Sequence, residues 1–145
     1  MKCARGLIAI SLKVEELRRL ERERRAAEAL RILKERTINW CENIGEILEK
    51  KAIDAQPLEY EILLMKSIEE GIYYTIEEVS SRYCDNRKDY NVNWYNTIHL
   101  STVIEFFEKY CFEIILEKPN YLTYSYGVGC IDTRTLTIKP APQCF

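Results

Sequence analysis

Residues Ser11–Ala55 read SLKVEELRRLERERRAAEALRILKERTINWCENIGEILEKKAIDA. These 45 residues hold no proline and one glycine, and are rich in Glu, Arg, Leu and Ala, the strong helix formers. The stretch predicts a helix running to about Ile53, around which later elements pack. Its apolar residues form two stripes. Ile10, Val14, Leu17 and Leu20 share one side at 100° per residue, and that side continues as Glu21, Arg24, Glu28, Arg31 and Glu35. A second stripe runs from Ala26 through Leu30, Leu33, Thr37, Trp40, Ile44 and Ile47 in steps typical of a helix packed on helices. The stripes lie on opposite sides. Either the helix breaks near Glu21–Arg25, or one continuous helix faces two partners.

Downstream, Pro57 suits the first position of a second helix, and Leu58 to Glu70 is apolar on most sides, as in a central helix ended by Gly71. Thr75 and Glu78 make a capping box that predicts a short helix to about Tyr83. Cys84 to Tyr95 reads as a polar, aromatic loop, and a helix opened by Thr97 or Thr102 runs to Tyr110. Strands are expected at Phe112–Glu117, Tyr121–Tyr126 and Thr135–Lys139. The fold class this predicts is mainly α: a helical bundle built on the long N-terminal helix and capped by a small C-terminal antiparallel β-sheet. Residues 1–145 form a single domain in this reading, with a binding arm at 1–20, the bundle at 21–110, the β-cap at 111–139 and a tail at 140–145.

The charge is unevenly distributed. Residues 1–36 hold eleven Lys/Arg against six Glu, a net +5, and the remainder ten against seventeen Asp/Glu, a net −7. A basic end of this kind suits an acidic or phosphate-rich partner. The same residues can instead pair along the helix, as Glu15–Arg19, Glu21–Arg25, Arg24–Glu28 and Arg31–Glu35. No apolar run approaches the ~20 residues that cross a bilayer, so no membrane partner is expected, and the apolar start is too short for a signal peptide.

No catalytic or ligand motif is recognisable, and the chain is expected to be no enzyme and to need no cofactor or metal. His99 is the single imidazole, and the six cysteines (Cys3, Cys41, Cys84, Cys111, Cys130 and Cys144) show no CxxC spacing. Gly127-Val128-Gly129 lacks the third glycine and the helix of a dinucleotide site. Few amides, many charges and many cysteines fit a hyperthermophile, whose intracellular proteins form disulfides. At least one intrachain disulfide is expected on that ground.

Two functions compete. Residues 57–126 have the helix and hairpin order of a winged helix, with STVIEFFEK (Ser101–Lys109) as its recognition helix. Against DNA, residues 57–145 carry a net −5, whereas phosphate binding needs a basic face. The alternative is protein–protein contact. Its expected site is Leu17, Arg18, Arg19, Leu20, Arg22, Arg24 and Arg25, at the end of the arm and just beyond it. Tyr90, Trp94 and Tyr95 are further contact candidates, as aromatics in a presumed loop. In length, composition and predicted architecture the chain resembles the small regulators of archaeal viruses, among them inhibitors of host RNA polymerase. That resemblance implies a non-enzymatic viral regulator in the host cytoplasm that binds in the polymerase's DNA channel and blocks DNA loading.

Overall fold

The computed structural model describes residues 1–79, 89–118 and 132–144. They divide into two compact units, Met1–Leu33 and Lys34–Phe145. Helix α1 spans Ala4–Ile53 without interruption, so there is no break at Glu21–Arg25.

The second unit is not the expected helical bundle. Its described residues form a five-stranded antiparallel sheet with a single further α-helix. The strands are β1 (Tyr60–Lys66), β2 (Ile72–Val79), β3 (Asp89–His99), β4 (Phe112–Glu117) and β5 (Thr133–Pro140), in the order β3-β2-β1-β5-β4. Helix α2 (Leu100–Glu108) lies between β3 and β4 in sequence.

The helix expected over Leu58–Glu70 is the central strand β1. A short run of apolar residues fits a buried strand as well as a central helix, and the register decides. Tyr60 and Ile62 stand opposite Ile138 and Leu136 of β5, while Leu63 pairs with Ile76 of β2. Tyr60, Ile62 and Leu64 therefore share one face at period two. Pro57 precedes this strand rather than opening a helix. Gly71 closes the β1–β2 turn, at a φ of 80° that an L side chain adopts poorly. The Thr75–Glu78 capping signal falls within β2, where Ile72, Tyr73, Tyr74, Thr75 and Ile76 give strong β propensity. The presumed loop before Tyr95 is β3 from Asp89 onward.

These corrections remove the winged-helix order, since residues 60–66, 72–79 and 89–99 are strands. The helix ending near Tyr110 and the strands at 112–117 and 135–139 appear as α2, β4 and β5. The expected strand Tyr121–Tyr126 and the Gly127–Gly129 bend lie outside the described residues.

One core fills the second unit. Leu64, Tyr73, Ile98, Leu136 and Ile138 from the sheet meet Cys41, Ile44 and Leu48 of α1 and Val103 and Phe107 of α2. The inward face of α1 is thus Thr37, Cys41, Ile44 and Leu48, turned slightly from the expected stripe. Trp40 is only half-buried, against the edge of the Tyr60 ring, and Ile47 is exposed. Thr37 is fully buried, and its hydroxyl accepts a hydrogen bond from the His99 backbone N–H at 3.0 Å. That bond ties α1 to the junction of β3 and α2.

Candidate functional site

From Ala4 to Leu33 helix α1 buries no residue. Leu7, Ile8, Ile10, Leu12, Val14, Leu17 and Leu20 are all exposed, Leu17 at 66% and Leu20 at 48%. Seven large apolar side chains in solvent over so short a span mark a contact surface rather than ordinary scatter.

The arginines beside them divide into two groups. Arg19 donates to Glu16 and Glu23, and Arg24 and Arg25 both donate to Glu21. The hydrogen bonds from Arg24 and then Arg25 hold the Glu21 carboxyl below its usual range, and Arg31 does the same to Glu28. Hydrogen bonding to Glu16, then the charge of Glu23, raises Arg19. The Glu21–Arg25 pair was foreseen from spacing, whereas Arg19 and Arg24 also reach the i−3 glutamates Glu16 and Glu21. Among the described residues, Arg18 and Arg22 make no ion pair. Of the five arginines from Arg18 to Arg25, two are thus uncommitted beside the leucines.

A second surface lies wholly within the other unit. A groove of about 390 Å³ runs between the C-terminal half of α1, α2 and the start of β4. Phe106, Phe107, Tyr110 and Phe112 give it an apolar lining, while Glu42, Glu46 and Glu49 of α1 give it a negative rim. Phe107 has its ring edge-on to both Phe106 and Phe112, which fixes the aromatic wall. Gly45 opens a notch in this groove: a Cβ there would meet no atom within 4 Å. Sequence reasoning missed the groove, because its walls come from three separated segments.

The third surface is a bulge in β3. Tyr74 pairs with Thr97 but Thr75 with Asn93, so Trp94, Tyr95 and Asn96 are extra. The Trp94 ring packs edge-on to Tyr74 at 4.9 Å, and Tyr95 stands 90% exposed. These aromatics do sit on the surface, as the sequence suggested, but on an edge strand instead of a loop.

His99 is held at the junction of β3 and α2 by its backbone bond to Thr37. Its Nδ1 is 2.9 Å from the Thr102 hydroxyl at the start of α2. Cys3, Cys41 and Cys111 carry free thiols. Burial, with Glu42 adding to it, pushes the Cys41 thiol up to about 12, so it is no nucleophile at neutral pH. Cys84 and Cys130 lie outside the described residues, and the disulfide expectation, drawn from all six cysteines, is not decided by these three thiols. Among the described residues, no group of three His, Cys, Asp or Glu is placed to hold a metal ion. None of their helices is long and apolar enough to cross a membrane.

No family model, curated protein or solved structure matches the chain. Leu17 and Leu20, expected from sequence to make contacts, are exposed, and the groove and the bulge are additional surfaces.

Proposed function

We propose that this protein is a non-enzymatic regulator that acts by binding another protein, and that the partner is a host RNA polymerase whose transcription it inhibits. The observation that carries the binding role is the arm, where Leu17 and Leu20 stand in solvent beside the uncommitted Arg18 and Arg22. Apolar anchors with arginine are the usual composition of a binding hot spot. The choice of polymerase draws on the resemblance to viral transcription regulators and on charge. Residues 37–145 carry a net −7, which suits a channel built to hold nucleic-acid phosphates. The same negative charge argues against direct binding to DNA.

The test is surface-plasmon kinetics against RNA polymerase, with duplex DNA as control. Polymerase should bind, and Arg18→Glu with Arg22→Glu should slow association, least at high salt. Leu20→Asp should speed release. Tight binding to DNA at physiological salt, with none to polymerase, would replace this reading with a DNA-binding one.

A further inference from the structure

The glutamates of α1 divide as its arginines do. Glu16, Glu21, Glu23 and Glu28 each pair with an arginine three or four residues away. Along the groove, Glu42, Glu46 and Glu49 are exposed and make no ion pair among the described residues. No Lys or Arg among those residues lines the groove with them. Glu42 and Glu46 stand four residues apart, where like charges destabilise a helix. This negative row therefore has a small cost to α1 and no compensating contact within the described residues.

The groove belongs to the Lys34–Phe145 unit alone, so its shape does not depend on the arm. Phe106 stands 5.1 Å from Phe107 and 5.3 Å from Tyr110, ring centre to ring centre, and Tyr110 is 63% exposed. An aromatic wall open to water beside free carboxylates suits a ligand that is apolar and cationic at once. Its apolar groups enter the groove, and its cations meet the glutamates and the ring faces. The extent of the row sets the size of that ligand. At 1.5 Å per residue, α1 rises ~10 Å from Glu42 to Glu49 and ~15 Å from Glu42 to Ala52. One small cation reaches one glutamate. Three glutamates spaced about a turn apart match Lys or Arg spaced likewise on another helix.

We propose that this groove is a docking site for an amphipathic helix of another protein, one with apolar anchors at i, i+3 or i+4 and i+7, flanked by Lys or Arg. Recognition of this kind lays the apolar face of the helix into a hydrophobic groove. The arm of a second copy is the poorer match, because Arg19, Arg24 and Arg25 already pair with glutamates of their own helix. The inference goes beyond the proposed function, whose contact is the arm, and the two surfaces share no residue.

The probe is a fluorescein-labelled synthetic helix of about 18 residues, ~27 Å long, with leucine on one face and lysine on both flanks. Its binding to the full chain is read by fluorescence anisotropy with no polymerase present, so this result and that of the polymerase test are independent. The wild type should bind it, less tightly as salt rises. Reversing Glu42, Glu46 and Glu49 together to Lys should weaken binding about ten-fold or more. Gly45→Leu should do the same at unchanged circular dichroism and without loss of stability, because its side chain enters open space and leucine is the better helix former. Tyr110→Ala, at an exposed position, is a second such variant. An acidic analogue of the peptide should show no binding that Gly45→Leu removes. Absence of binding, or binding that Gly45→Leu and Tyr110→Ala leave unchanged, would overturn the proposal. So would spermidine binding as tightly as the peptide, which would make the site one for a small polycation. A wild-type dimer that Gly45→Leu abolishes would give the groove to a second copy and overturn it too.

Discussion

Residues 4–33 and 34–53 belong to one helix, yet different forces keep them helical. The second stretch buries Thr37, Cys41, Ile44 and Leu48 against a sheet, so tertiary packing holds it. The first buries nothing and relies on propensity and on ion pairs such as Arg19–Glu16 and Arg24–Glu21. Helices shorter than about 12–15 residues are marginal in water, and this stretch exceeds that. Apolar spacing does not separate the two, since Ile10, Val14 and Leu17 are spaced as regularly as Thr37, Cys41, Ile44 and Leu48. What separates them is whether another part of the chain supplies a surface. A helix face left without one is where a partner is to be sought.

The sharpest test of that contrast is thiol chemistry. Cys3 in the arm region and Cys111 are exposed, while Cys41 is fully buried with its pKa pushed up to about 12. Labelling of native protein, read site by site by mass spectrometry, should modify Cys3 and Cys111 within minutes. Cys41 should react slower by several orders of magnitude, and only after unfolding. Comparable rates would show that α1 leaves the core readily.

Stability comes next. Phe107→Ala empties the centre of the core and should cost about 3–5 kcal/mol in urea unfolding. Leu12→Ala, on the exposed half of the helix, should stay within about 0.5 kcal/mol. A large loss from the arm variant would mean that the arm is part of the folded core. Thr37→Val keeps the side-chain shape but removes the acceptor for the His99 N–H. About 1–3 kcal/mol should be lost, with the His99 and Leu100 amides exchanging faster than before.

The smallest effect is a pH dependence confined to the arm. The Glu21 and Glu28 carboxyls are held below their ordinary range by arginines. Their contribution to helix stability is therefore present above the unfolded pKa and is lost as pH falls through the lowered folded value. Carboxyl chemical shifts should show Glu21 titrating below an unperturbed glutamate such as that of a model peptide. A small loss of helical circular dichroism should follow below that pH, with the sheet signals unchanged. High salt should shrink the difference, because these pairs are exposed.

Much of the helix was legible locally. Glu, Arg, Leu and Ala without proline, then Asp54 through Pro57, fix α1 and its end at Ile53, because propensity and chain breakers act over a few residues. The alternation in Thr135–Lys139 likewise placed Leu136 and Ile138 on one buried face. The exposed apolar stripe of the arm was legible too, since a helix face needs only spacing. The region from Leu58 to His99 was not. Its apolar run at Ile62–Met65 is consistent with either element, and the Thr75 capping box is a local signal that loses to ladder hydrogen bonds with β1 and β3. Strand pairing joins residues far apart, such as Ile62 with Leu136, and no short window of sequence contains both. The groove depends on the same long-range closure, for it exists only once α1, α2 and β4 are brought together. Sequence alone determined the long helix, its charges and its exposed leucines; the sheet and the acidic, aromatic groove were decided by tertiary structure, because their stability comes from contacts between distant segments.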